Sequence, residues 1–330
     1  MQGKPDSFAL LSSKTPFEKA RQTGLLRPTF SGVLCETEFS VAFSAAPLAM
    51  PSGGRETRRP PIVISDVEEW RLSDDTQLTL ATCEAITGRN GSVDPAAIAA
   101  AFARWHRAKR VTGMGSKTLK ALTELVAGGH WALVGGKGER AAGNGAAMRA
   151  APLAFCLDPN DEAQRRTIRD VSRITHHHEE AYAGALAVVA AVRTAANGLW
   201  DGSNDLLRLV VEVLPDTQVR DRLIALIEVD IKTPLLEIAR RFGCSGYVAE
   251  SVPLALCGAS RIRSLDFKTV LIDLIACGGD TDTNASIAGQ VAGALIGRDR
   301  LPEDLIARTP DRDAVEAVAS AFAESLNFYE

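Results

Sequence analysis

The sequence predicts an all-α fold, and three observations carry that prediction. Alanine is abundant while aromatics make up only 5% of the 330 residues, a composition of closely packed helices rather than of a β-sandwich. Apolar residues recur at spacings of three and four over most of the chain. Strand-like alternation is scarce, and no repeat of about 20–50 residues is visible, which disfavours a solenoid.

Taken in chain order, the first 60 residues stand apart. Seven of the fifteen prolines (Pro5, Pro16, Pro28, Pro47, Pro51, Pro60 and Pro61) fall at or just beyond this segment, and Pro51-Ser52-Gly53-Gly54 has turn chemistry. Residues 1–60 are expected to be a divergent Pro-rich segment, partly extended. Residues 61–330 are expected to form a single compact multi-helix domain. Thr76 to Thr87 places Leu80, Cys83 and Ile86 at three-residue steps, and Gly88 supplies the stop. Asp94 followed by Pro95 reads as an N-cap and first helical position, opening a helix through Trp105. Residues 181–197, 219–229, 268–277 and 313–326 repeat the helical pattern, and a further helix is expected to start near Ala146.

The bulk composition is that of a soluble globular chain: 46% apolar, 24% charged, formal net charge −4. The mild acidity argues against a polyanion-binding surface, so no nucleic-acid partner is expected. The six cysteines are scattered and include no Cys-x-x-Cys, which argues against a zinc ribbon or a redox pair and favours free thiols in a reducing compartment. Lys4, Asp6, Lys14, Glu18 and Lys19 occupy the stretch where a signal peptide needs an apolar core. No apolar run approaches the ~20 residues of a membrane span. A cytoplasmic protein without a membrane partner is expected.

Two clusters could carry chemistry. Ser73-Asp74-Asp75-Thr76 and Asp280-Thr281-Asp282-Thr283 each pack two carboxylates and two hydroxyls into four residues. Either could be an ordinary helix N-terminus, where Ser, Thr and Asp cap free amides and carboxylates suit the dipole. However, Ala285, Ser286, Ala288, Gly289, Ala292, Gly293 and Ala294 follow the second cluster. A helix of such small side chains packs closely and is buried, and buried carboxylates at its mouth need a cation or a donor. Convergence of both clusters on one or two Mg²⁺ ions would explain them together, because Mg²⁺ takes carboxylate, hydroxyl and water oxygens. Metal-assisted hydrolysis is the chemistry this implies. Gly143-Asn144-Gly145 suits a pyrophosphate, although Asn-Gly also makes plain turns. Arg149 is expected at a phosphate or against the acidic site. His176, His177 and His178 point in different directions on a helix and cannot easily share one ion. Tyr247 fits either a stacking platform or a packed core position, and His106 and His130 read as structural.

In this order the segments resemble the ADP-ribosylglycohydrolase family. The carrying elements are Ser73-Asp74-Asp75-Thr76, Gly143-Asn144-Gly145-Ala146-Ala147-Met148-Arg149, Thr175-His176 with Ala181 and Gly184, Gly246-Tyr247-Val248, and Gly279-Asp280-Thr281-Asp282-Thr283-Asn284. The resemblance implies the family's all-α fold and Mg²⁺-dependent removal of mono-ADP-ribose from protein side chains. Arginine is the implied acceptor, from the Gly-Asn-Gly-Ala-Ala-Met-Arg form. It further implies two Mg²⁺ ions held by Ser73, Asp74, Asp75, Asp280, Asp282 and Thr283. Substrate contacts would come from Gly143, Asn144, Gly145, Met148, His176 and Tyr247, and the catalytic groups would be Asp74, Asp280 and Glu38. The implied partners are ADP-ribosylated protein and ADP-ribose. The family's first motif, Gly-Asp-Ala-Leu-Gly ending in Glu-Phe, is the departure: only Glu38-Phe39 remains of it here. That loss, with the Pro-rich residues 1–60, leaves an alternative: an immunity protein whose N-terminal segment plugs an ADP-ribosylating toxin.

Overall fold

The fold is that of a computed structural model describing residues 70–202 and 205–326, together with a two-residue strand, Phe43–Ser44. Glu38 and residues 1–60 as a unit, on which the toxin-plug alternative rests, lie outside the described residues. Strand β1 (Phe43–Ser44) pairs antiparallel with β2 (Arg71–Leu72), Phe43 opposite Leu72. Among the described residues everything else regular is helical. The helices are α1 (Asp74–Thr87), α2 (Pro95–Arg107), α3 (Ser116–Val126), α4 (Trp131–Val134), α5 (Glu162–Arg173), α6 (Glu179–Ala196) and α7 (Leu206–Val211), followed by α8 (Gln218–Ile227), α9 (Leu235–Phe242), α10 (Val248–Ala259), α11 (Phe267–Ala276), α12 (Thr281–Ile296), α13 (Glu303–Ile306) and α14 (Arg312–Ser325).

The expected helix boundaries recur with their causes. Gly88 closes α1. Asp94 caps α2 by accepting from the Ala96 amide at 2.9 Å, with Pro95 at the first helical position, where a missing N–H costs nothing. His178 caps α6 through Nδ1, accepting from Glu180 N, and His130 caps α4 in the same way.

Helices α6, α10 and α12 pack on one another at the centre. Fifteen of the eighteen residues of α6 are buried, and eleven of the twelve of α10. A helix apolar on all sides can only be interior, and these are built from Ala, Val, Leu and Gly so that their axes come close. A Cβ on Gly184 would lie 2.2 Å from Val248 Cγ2, so the α6–α10 crossing requires glycine. Around this trio, α1 packs on α2 and α14, and α11 lies on α12. Among the described residues no helix is long and apolar enough to cross a membrane. Cys83, Cys156, Cys244, Cys257 and Cys277 are free thiols.

One expected helix is absent. After Gly145 the chain makes two 3₁₀ turns, Asn144–Ala146 and Ala151–Phe155, and no α-helix starts near Ala146. Pro152 removes a backbone donor there, and the tight turns leave Met148 O and Ala154 O to accept from side chains of other helices.

Candidate active site

The first wall of the site is the N-terminus of α1. Ser73 holds the N-cap position with extended backbone (φ −76°, ψ 169°), yet its side chain makes no cap bond. Instead Ser73 Oγ donates to Asp75 Oδ2 at 3.1 Å. Ser73, Asp74 and Asp75 are 7%, 8% and 1% exposed, far from the solvated face that an ordinary helix start would present. Gln77 fastens the neighbouring loop to this turn: its Nε2 donates to Leu72 O at 2.8 Å, and its Oε1 accepts from Thr112 N at 2.8 Å. Gly113, at φ +83°, thereby comes to Asp74, and a Cβ on it would sit 3.8 Å from Asp74 Oδ1.

The second wall is the N-terminus of α12. Gly278 and Gly279 have φ +76° and +72°, a region that L side chains rarely enter. A Cβ on Gly279 would lie 2.1 Å from Cys244 O. This close approach lets Cys244 O accept from both Asp280 N (2.9 Å) and Asn284 Nδ2 (3.0 Å). Asp280 occupies the N-cap position but, like Ser73, caps nothing. Its Oδ2 accepts from Asn144 Nδ2 at 2.9 Å, and the same amide donates to Ser251 Oγ at 2.9 Å. Thr283 and Asp282 flank the Asp280 carboxyl and act on its ionisation in opposite directions.

The two walls share one field. Burial first, and then Asp282 and Asp280, push Asp74 up to about 7 from an ordinary 3.8. Burial, then Asp74, Asp282 and Asp280, raise Asp75 well above its usual range, against the bond from Ser73. Asp280 rises to about 6, through burial and then Asp282, while Asn144 and Thr283 oppose the rise. Among the described residues no lysine or arginine pairs with any of the four carboxylates. Asp75 Oδ1 is buried without a hydrogen-bond partner. Among the described residues, no three His, Cys, Asp or Glu side chains close into a ready-made cation cage. The carboxylates instead act on one another through space, with the Ser73 hydroxyl bonded to Asp75 among them. An orphaned buried oxygen and an uncompensated acidic cluster with hard hydroxyl donors fit a hydrated divalent cation such as Mg²⁺, which keeps several waters.

The rim beside Asp280 is the Gly143–Gly145 loop. Asn144 N donates to Gly246 O at 3.1 Å and Val248 N to Ala142 O at 3.0 Å, and Gly143 bridges Tyr247 in an antiparallel pair. The Asn144 amide is thus committed to protein, and no α-helix starts at Ala146 to aim its N-terminus at the loop; the helix start beside it is that of α10, whose Val248 amide is taken by Ala142 O. Tyr247 is half-buried at the start of α10. Met148 is 3% exposed, and its carbonyl accepts from Gln290 Nε2 at 2.7 Å and Thr79 Oγ1 at 3.5 Å, tying α12 to α1. His176 lies under the loop: a Cβ on Gly145 would be 2.7 Å from its Cε1. Burial, then the Arg149 charge, pushes His176 down to about 3, and its Nδ1 meets Thr175 Oγ1 at 2.9 Å. Arg149 reaches neither phosphate rim nor acids. It is 1% exposed and donates to Thr175 Oγ1 (2.9 Å) and Val171 O (3.2 Å), over the Phe102 ring. Burial lowers its pKa to about 9. Its place in a rim motif gave no sign of this inward turn.

Sequence reasoning missed Ser251, Gln77 and the Cys244 carbonyl. Ser251 follows Tyr247 by one helical turn, and that spacing was the available signal. A backbone carbonyl gives none.

Comparison with known proteins follows this geometry. A sequence profile of the ADP-ribosylglycohydrolase family matches residues 36–328. The chain is 26% identical over 241 residues to the ADP-ribosyl-[dinitrogen reductase] glycohydrolase of Rhodospirillum rubrum, covering 72% of this chain and 73% of that one. It is 27% identical over 260 residues to the ADP-ribosylarginine hydrolase Tri1 of Pseudomonas putida, covering 76% and 65%. A solved structure described as an ADP-ribosylglycohydrolase-related protein complex superposes with a TM-score of 0.59 at 26% identity, covering 93% of this chain and 99% of that one.

Proposed function

The chain belongs to the ADP-ribosylglycohydrolase family of glycosyl hydrolases, and on that premise we propose that it releases mono-ADP-ribose from arginine side chains in a Mg²⁺-dependent reaction. The observation that carries this reading is the pair of N-cap residues, Ser73 and Asp280, whose side chains cap nothing and which belong to one acidic group with Asp74 and Asp75 buried and Asp280 and Asp282 half-buried. The arginine acceptor is supported by the Gly143–Arg149 segment and by the name of the Pseudomonas putida relative.

Ser73, Asp74, Asp75, Asp280, Asp282 and Thr283 would hold the cation, with room for two ions as the family resemblance implies. When bound, Mg²⁺ neutralises the carboxylates and polarises the oxygens it touches. The chain's own groups do the rest. Water adds to C1″ of the distal ribose as the bond to the arginine nitrogen breaks, and the departing guanidine takes up a proton. Positive charge developing at C1″ is stabilised by the Asp74 and Asp280 carboxylates. A carboxylate of the pair, or Glu38, takes the proton from the attacking water. Asn144 holds Asp280 through its amide, and the backbone of Gly143 and Gly145, backed by His176, shapes the rim against the pyrophosphate. Tyr247 flanks the adenosine end.

ADP-ribose release from an ADP-ribosylarginine protein tests this. Asp280→Asn and EDTA should each lower the rate by at least about 100-fold. Unchanged rates in both would overturn the proposal.

A further inference from the structure

A second feature lies at the opposite end of α10. Arg261 follows this helix, and its backbone is pinned in a turn: its amide donates to Gly258 O, and its carbonyl accepts from Ser264 N and Leu265 N. Its side chain is 6% exposed. Nε has no hydrogen-bond partner, and among the described residues the guanidinium donates only a long, weak bond to the Cys257 thiol at 3.8 Å. Among the described residues no carboxylate pairs with it. A guanidinium carries five donors and stays charged, so an interior position with a thiol as its acceptor and no counter-charge is unfavourable. The carbonyl end of α10 offers it only partial negative charge, and no carbonyl accepts from it.

Arg261 lines a recess of about 140 Å³. Leu207, Leu226 and Ile238 form a buried apolar floor, and the half-buried Val229 and Ile231 form the rim. Ser251, at the acidic cluster, lies ten positions earlier along the chain, roughly 15 Å of helix rise, so the recess is separate from the reaction site.

We propose that this recess is a second ligand site, for a small monocarboxylate with an apolar body. Apart from Arg261, the lining is apolar save for the Cys257 thiol and the Ser260 hydroxyl, which is donated to Cys257 O at 2.8 Å, so the second charge of a phosphate would find no cationic partner. One guanidinium matches one carboxylate in a two-point hydrogen bond. The volume is close to that of a cavity that holds a benzene-sized body, about 150 Å³.

Benzoate and benzamide, equal in shape and different in charge, are the probes. Calorimetric titration of the full chain should show benzoate binding at least about tenfold more tightly than benzamide, and saturating benzoate should raise the melting temperature by about 2–4 °C. Arg261→Met should abolish the preference and, with an unpaired buried charge removed, melt higher than wild type without ligand. Arg261→Lys, which keeps the charge but loses the two-point contact, should weaken benzoate about tenfold and leave benzamide unchanged. Equal affinity for the two probes in wild type, or wild-type benzoate affinity in Arg261→Met, would overturn the site.

Discussion

Asp74 and Asp280 sit where ionisation is unfavourable, and this sets a sign. Their pKa values stand at about 7 and about 6 against an ordinary 3.8. Without a cation the folded chain therefore binds more protons than the unfolded chain between about pH 4 and 7. The stability these groups contribute is full below pH 4 and is lost as pH rises through 6 to 7. Asp74→Asn should thus stabilise the metal-free protein at pH 8, by on the order of 2 kcal/mol, while abolishing stabilisation by Mg²⁺; thermal melting with and without the ion reads both. His176 runs the other way. Held near 3 against an ordinary 6.5, it is neutral when folded, so its contribution is present above pH 6.5 and lost as pH falls toward 3. His176→Gln should flatten that acid limb, and a melting series between pH 7 and 4 checks it. The two acidic clusters were legible as residues, although each by itself also fits an ordinary helix start. Arg149 was not: its charge drew it, on paper, toward phosphate, whereas the structure spends it on Val171 O and Thr175 Oγ1 under the loop.

Among elements, helix starts were read well and their partners were not. Asp94 with Pro95 announces α2 through local chemistry alone. By contrast, Glu180 lies in the first turn of α6 but accepts from Gln218 N (2.8 Å) and Val219 N (3.0 Å), closing the N-terminus of α8 across the fold. Such a cap depends on tertiary approach and leaves no trace in spacing. Glu180→Ala should leave the buried Val219 amide and the more exposed Gln218 amide without this acceptor and cost about 1–3 kcal/mol, seen as a lower denaturant midpoint. The expected helix at Ala146 failed for a related reason: the stretch is small and helix-compatible, but Gly145 is held against His176 and Met148 O is claimed by α12. Gly279→Ala tests the turn that presents Asp280. Its Cβ would fall 2.1 Å from Cys244 O at φ +72°, so the variant should lose hydrolysis more than stability if only this turn shifts, and circular dichroism alongside the rate assay separates the two.

For the whole molecule, the all-α class followed from composition and periodicity, because α6, α10 and α12 are built of the small residues that a dense helical centre needs. What the sequence could not show is how that centre brings α1 and α12, distant in the chain, to one cluster. Folding concentrates unpaired negative charge there, and a divalent ion bound only by the folded state should stabilise it by mass action. The most direct test is a calorimetric titration of Mg²⁺ into the full chain at pH 8, beside Asp280→Asn. Saturable binding in the wild type, lost in the variant and tightened by ADP-ribose, is the predicted result. A silent titration, or identical binding in the two proteins, would contradict the shared site.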